Sequence, residues 1–174
     1  VLVQLLPNGR EVLHTRCLAG QGELLFRVHG DVFSVPPRGF FQTNTKMAEK
    51  LFQVVLDAAG AGPEDAVIEV HGGVGVPGLL FGRRCRRLIS IEIEAASVEA
   101  ARRNADRLGI GLDARCGPAA KLLSAALAEE PRAIIVLDPP RAGCEPELVA
   151  TLVRARPRRI VYVSCDPATL ARDA

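Results

Sequence analysis

Residues 1–35 alternate short β-type runs (Val1–Leu6, Glu11–Cys17, Glu23–Val28 and Val32–Val35) with Asn-Gly, Gly-Gln-Gly and His-Gly-Asp breaks. Runs closed by such turn residues predict hairpins or a meander, so 1–35 is expected to be a β-rich N-terminal segment. The period then changes. After Pro36-Pro37-Arg38-Gly39, the apolar positions Met47, Leu51, Val54, Val55 and Ala58 recur at helical spacing until Gly60–Pro63, which predicts one amphipathic helix.

From Ala66 onward the two periods alternate. Strand patterns fall at 66–71, 87–93, 112–116, 133–138 and 159–164, with helical patterns at 76–82, 95–108, 118–129 and 145–155. Parallel strands need crossover connections, and each crossing helix buries its apolar stripe on the sheet. The series therefore predicts an α/β fold, a doubly wound, mostly parallel sheet with helices on both faces. The apolar run Ala133-Ile134-Ile135-Val136-Leu137 has no polar face, as expected of a central strand covered on both sides.

Composition narrows the reading. A chain of 174 residues with 48% hydrophobic content suits one domain with a sizeable core. The net charge of +2 gives no global basic excess, so nucleic-acid binding must be argued from the site. Five cysteines without a C-x-x-C pair suit reduced thiols, and a cytoplasmic location is expected. No apolar stretch approaches the ~20 residues that cross a bilayer, and Val1–Leu6 has no basic leader, so neither anchor nor signal peptide is expected. His14, His29 and His71 lack ligand spacing, and no metal is expected. A start at Val1 and a stop at Ala174, where a helix is beginning, lead to the expectation of a fragment, with the domain in 36–174 truncated at its C-terminal end.

In an open parallel sheet, ligands bind beyond the carboxyl ends of the strands. Four strand-end segments there carry unusual residues. The first, Glu69-Val70-His71-Gly72-Gly73-Val74-Gly75-Val76-Pro77-Gly78, is glycine-rich. Gly73 and Gly75 let the backbone turn sharply and approach a ligand, which suits a nucleotide, a dinucleotide or S-adenosylmethionine, or serves only a tight connection. The second ends in Ile91-Glu92-Ile93-Glu94, about 20 residues further on, where a carboxylate can accept both ribose hydroxyls of an adenosine-containing cofactor. Spacing favours Glu92, with Glu94 read as a solvated residue at a helix start.

The third is Asp138-Pro139-Pro140-Arg141-Ala142-Gly143. Two prolines make a rigid wall for a flat group, with Asp138 and Arg141 on either side and Arg141 the candidate for substrate contact. A tyrosine at the fourth position would point to methylation of an exocyclic amine, and arginine argues against it. The fourth is Tyr162-Val163-Ser164-Cys165-Asp166-Pro167. Asp166 reads as an N-cap and Pro167 as a first-turn proline, which places Cys165 just before a helix N-terminus, where the field favours a thiolate, opposed in part by Asp166. Cys17, Cys85 and Cys116 read as buried filler.

With these segments in view, the chain from about Phe33 onward resembles the RNA 5-methyluridine methyltransferases, a family with a Rossmann-like methyltransferase sheet that modifies uridines of tRNA and rRNA. The resemblance rests on Phe40-Phe41-Gln42-Thr43-Asn44, on Asp138-Pro139-Pro140-Arg141-Ala142-Gly143, and on Tyr162-Val163-Ser164-Cys165 with Pro167, Thr169-Leu170 and Arg172-Asp173. It implies S-adenosylmethionine as cofactor and RNA, either rRNA or tRNA, as partner. It also implies that Gln42 and Asp138 lie at the cofactor, that Glu92 binds its ribose, that His71 packs beside it, and that Cys165 is the nucleophile. The family's general base is a glutamate downstream of the cysteine motif, beyond Ala174.

Inside the match, His71 stands for the family's aromatic or cysteine, Gly72-Gly73 for its Cys-Gly, Val76 for its frequent asparagine and Glu69 for its aspartate. Cys116-Gly117-Pro118 lacks a polar residue for an adenine amine. Arg83, Arg84, Arg86 and Arg87, and Arg154, Arg156, Arg158 and Arg159, form two basic runs that suit either RNA phosphates or solvated helix ends. Two competing readings follow: a catalytically weakened or inactive RNA-binding module on the same fold, and a methyltransferase for another acceptor, such as cytosine C5 or a small molecule.

Overall fold

The computed structural model describes every residue except Val1, Gly9, Arg10, Gln21 and Arg38. Val1 at the head of the first predicted run, Gln21 in the Gly-Gln-Gly break and the His14 side chain lie outside what is described. The N-terminal segment forms two antiparallel pairs, β1 (Leu2–Asn8) with β2 (Glu11–Ala19), and β3 (Leu24–Val28) with β4 (Asp31–Val35). β1 runs through Pro7, where the sequence pattern ended at Leu6. The ladder accommodates the proline at a register shift between Leu6 and Pro7.

α1 (Thr45–Ala59) starts at Asn44, whose Oδ1 accepts from the Met47 amide at 3.1 Å, and it ends at Gly60 in the left-handed conformation, φ 55°. Then come β5 (Ala66–Val70), α2 (Val76–Phe81), β6 (Arg87–Glu92), α3 (Ala95–Leu108) and β7 (Asp113–Cys116). α4 (Ala119–Glu129), β8 (Ile134–Leu137), α5 (Pro146–Ala155), β9 (Arg159–Tyr162) and α6 (Pro167–Asp173) complete the chain.

The five strands β5 to β9 pair in parallel in the order β7-β6-β5-β8-β9. Alternate side chains serve opposite faces, as strand geometry requires. Val67, Leu88, Ile134 and Val136 pack with α1, α2 and α3, and Ile68, Val70, Ile89, Ile135 and Leu137 pack with α4 and α5. β7 ends at Cys116 as predicted, while β5, β6, β8 and β9 stop one or two residues short of their predicted carboxyl ends, His71 at φ 62° already turning out of the ladder after β5.

Both basic runs lie at the amino ends of the strands, opposite the strand-end loops, and most of their arginines are engaged. Arg87 meets Asp113, Glu129 and Glu130, and Arg86 meets Glu130 at 2.7 Å. Arg158 pairs with Asp65, Arg83 with Asp31, and Arg159 donates to the Ala58 and Ala59 carbonyls that end α1. These contacts give the named arginines a structural role at the amino ends of the strands. Among the described residues no helix is long and apolar enough to cross a membrane, and no cluster of His, Cys, Asp and Glu is placed to hold a metal ion.

Candidate active site

The strand order reverses between β5 and β8, so the loops that follow these two strands diverge and leave a cleft. Gln42, His71, Gly73, Pro77 and Asp138 line it, with Phe40 and Phe41 at its side. Four predicted site residues from three distant stretches thus meet. Gln42 is held between two anchors. Phe41 stacks on Phe26 of β3 at 4.3 Å, and Asn44 caps α1.

The glycine loop turns through Gly73 at φ 54° and Gly75 at φ 83°, with the Gly75 amide donating to the Gly72 carbonyl at 2.8 Å. A Cβ on Gly73 would meet nothing within 4 Å, so this backbone faces open space. Glu92 stands beside it. Its Oε2 accepts from the Gly73 amide at 3.0 Å, and its Oε1 accepts from the Ile93 and Glu94 amides at 2.7 and 2.9 Å. Glu94 is exposed and makes no side-chain cap, in line with a solvated helix start.

Three acids surround this loop. Asp138 is half-buried, burial pushes its carboxyl above the ordinary range, and its carboxylate makes no hydrogen bond among the described residues. Beneath the loop lies Glu69, only 2% exposed, which accepts from the Gly78 amide at 2.7 Å and from the Ser90 hydroxyl at 2.8 Å. Burial raises its pKa to about 7 against the pull of these two hydrogen bonds, with the Asp138 and Glu92 charges adding to the rise. Burial also lowers the His71 pKa, against the opposing pull of Glu92 and Glu145, and the buried His71 Nε2 has no hydrogen-bond partner among the described residues.

Cys165 and Arg141 are not on the wall of this cleft. They lie on the loops after β9 and β8, and both are exposed. Arg141 Nε lies 3.5 Å from Asp166 Oδ2. As the sequence predicted, Asp166 caps α6, its Oδ1 accepting from the Ala168 and Thr169 amides. α6 is pinned to the Asp138–Gly143 loop, since Arg172 donates to the Ala142 carbonyl, and Asp173 Oδ2 accepts from Tyr162 Oη and the Cys144 amide, both at 2.7 Å.

The filler reading of the cysteines needs correction. Cys17 lies near the end of β2 in a two-stranded pair and Cys116 ends the edge strand β7, and both are exposed, while Cys85 is half-buried and Cys144 fully buried. Glu69 and Asp173 were legible in the sequence only as members of their motifs, with no structural role attached, and Asn104 was not singled out at all. Asn104 left a trace, a polar residue on the apolar face of α3.

The fold and cleft define the class: a Rossmann-like methyltransferase sheet with its glycine loop at the strand-order switch. Residues 120–174 match the sequence pattern of the family described as tRNA (Uracil-5-)-methyltransferase. An uncharacterised RNA methyltransferase of Gloeobacter violaceus is 42% identical over 159 residues, covering 91% of this chain and 34% of the relative. One of Chlorobaculum tepidum is 38% identical over 160 residues, 90% of this chain and 33% of the relative. The crystal structure of Pyrococcus abyssi tRNA (uracil-54, C5)-methyltransferase in complex with S-adenosyl-L-homocysteine matches with a TM-score of 0.71 and 25% identity, over 94% of this chain and 39% of that one. Over most of its length the chain is similar to RNA methyltransferases, with the uracil-5 pattern matched by its residues 120–174, and it spans about a third of the length of the curated relatives it matches.

Proposed function

We propose that this chain carries the cofactor cleft and the nucleophile of an enzyme that methylates carbon 5 of uridine in RNA with S-adenosylmethionine. The reading is supported by a cleft in which His71 Nε2 and the Asp138 carboxylate lack partners among the described residues, and by an exposed cysteine loop whose Asp166 lies 3.5 Å from Arg141 of the Asp138 loop; on this reading the loops after β8 and β9 form the rim of the cleft.

The cleft suits the cofactor on its own chemistry. The space beside Gly73 admits a ligand, and His71 Nε2 and the Asp138 carboxylate, unpartnered among the described residues, are polar groups suited to a polar one. Glu92, at the end of β6 beside Gly73, would take the ribose hydroxyls by exchanging its hydrogen bonds to backbone amides for bonds to the ligand. Gln42, His71 and Asp138 would line the remainder, with Gly73 and Gly75 admitting close approach. When bound, S-adenosylmethionine supplies an electrophilic methyl group on a sulfonium.

The residues of the rim do the rest. Uracil C5 is a weak nucleophile until a thiolate adds to C6, so Cys165 Sγ forms a bond to C6 and pushes the ring electrons toward C5 and O4. After C5 is methylated, loss of its proton to a base returns those electrons and expels the Cys165 thiolate. Arg141 stands near the cysteine loop as a cation for the substrate, and its pairing with Asp166 sets its place.

Trapping tests the reading. Fluorine at C5 leaves no proton to remove, so the chain incubated with 5-fluorouridine-containing RNA and S-adenosylmethionine accumulates an adduct that survives denaturation. The complex is expected with Cys165 and absent in Cys165→Ala. Its absence in the unsubstituted chain, with S-adenosylhomocysteine still bound by calorimetry, would reassign the acceptor. Absence of both would leave an inactive methyltransferase-fold module.

A further inference from the structure

The glycine loop is held by the unit that follows it. Successive backbone groups of Gly73, Val74 and Gly75 each meet a different residue of the β6–α3 unit. The Gly73 amide meets Glu92. The Val74 carbonyl accepts from Asn104 Nδ2 at 3.1 Å. At Gly75 an added Cβ would lie 3.0 Å from Ala101 Cβ, so α3 also limits the loop by contact.

Asn104 does more than touch the loop. It is 0% exposed, and its Oδ1 accepts from the Ser34 amide at 2.8 Å while Nδ2 donates to the Ser34 carbonyl at 3.0 Å. One carboxamide thus satisfies three buried backbone groups, two on β4 and one in the glycine loop. No other side chain does this at the same length: aspartate has no N–H to donate, and leucine has neither donor nor acceptor. Leaving any of these groups unpaired in the core carries a penalty.

We propose that Asn104 is a positioning residue that locks the glycine loop to the β3–β4 hairpin, so that cofactor affinity depends on the hairpin staying docked. The proposal rests on the cofactor reading only for its consequence, not for the lock itself. A separate tie supplies the control. Arg103 reaches Glu23 at 2.6 Å beside the same hairpin, and no hydrogen bond or ion pair of Arg103 involves the loop.

Hydrogen exchange of the unliganded chain reads the lock. Asn104→Ala is expected to speed exchange roughly tenfold or more in peptides covering both 31–35 and 72–79, whereas Arg103→Ala speeds it in the hairpin alone. Faster hairpin exchange in Asn104→Ala with unchanged exchange in 72–79 would overturn the proposal, as would loop opening of equal size in Arg103→Ala. Calorimetry with S-adenosylhomocysteine then reads the consequence: about tenfold weaker binding for Asn104→Ala and no change for Arg103→Ala. Should Asn104→Ala and Asn104→Ser both fail to fold, exchange at the Ser34 amide of the unsubstituted chain decides. Protection on adding S-adenosylhomocysteine supports the lock, and loop protection without it sinks the proposal. No binding heat and no protection anywhere would count against the cofactor reading, while native-state exchange in low denaturant, with 31–35 and 72–79 opening together or separately, would still decide the lock.

Discussion

Glu69 and Ser90 are register partners on β5 and β6, and the Ser90 hydroxyl donates to the Glu69 carboxylate at 2.8 Å inside an otherwise apolar layer under α2. The carboxylate has two partners there and little water. Its raised pKa makes the fold's stability depend on pH in a defined direction.

From the ordinary 4.5 in the unfolded chain to about 7 in the folded one, the folded state holds the Glu69 proton more tightly. The stabilisation from that proton is complete below about pH 4.5 and is lost as pH rises through about 7. Glu69→Gln keeps the shape, an acceptor for Gly78 and a group for Ser90, yet carries no charge. Urea unfolding should show the variant more stable than the parent at pH 8 by on the order of 1–3 kcal/mol, with the difference shrinking toward pH 5. A constant difference across that range would mean that Glu69 does not titrate there.

Gly78 exists where it does because of that acid. A Cβ there would fall 2.4 Å from Glu69 Oε2. Gly78→Ala should cost about 1–3 kcal/mol although alanine favours helix. Glu69→Asp, one methylene shorter, should recover part of that loss in the double variant, so a double-mutant cycle by chemical denaturation should give a clear coupling energy. Additive losses would contradict the contact.

Asp166→Ala removes the cap of α6 and the partner of Arg141. The stability loss should be about 1 kcal/mol, as for other N-caps. Because the same side chain joins the cysteine loop to the Asp138 loop, the yield of the 5-fluorouridine adduct should fall by more than the loss of folded protein explains. Equal losses would mean that Asp166 only caps.

Much of this was readable from the chain. α3 matches its predicted bounds, 95–108, because an apolar stripe and Gly109 at φ 65° mark its end independently of tertiary contacts. The cleft residues Gln42, His71, Gly73 and Asp138 were each marked by an unusual local motif. Glu69 was not readable as a buried proton holder, since an acid at a strand end looks the same whether it faces water or a serine two turns of the fold away. Asn104 depends on Ser34, 70 positions earlier, and no local pattern encodes that meeting. The basic runs stayed ambiguous for the same reason: their acidic partners lie as far off as Arg158 from Asp65.

Those runs give a further prediction. On the RNA reading, Arg141→Ala should weaken RNA binding and reduce its salt dependence by up to about one phosphate's worth, in fluorescence titrations at several ionic strengths. Arg86→Ala with Arg87→Ala should leave that slope unchanged while slightly lowering stability through the lost contacts to Asp113, Glu129 and Glu130. The reverse outcome would move the RNA path to the amino side of the sheet.

The exposure of Cys17, Cys116 and Cys165 together governs how the chain can be handled. An alkylating reagent that inactivates it has three accessible targets, so inactivation alone identifies none of them. A background with Cys17→Ser and Cys116→Ser leaves Cys165 as the exposed thiol, with Cys85 half-buried and Cys144 enclosed. In that background a single fluorophore or spin label reports from the loop after β9, and on the RNA reading protection of the label site by RNA would be a footprint of one residue.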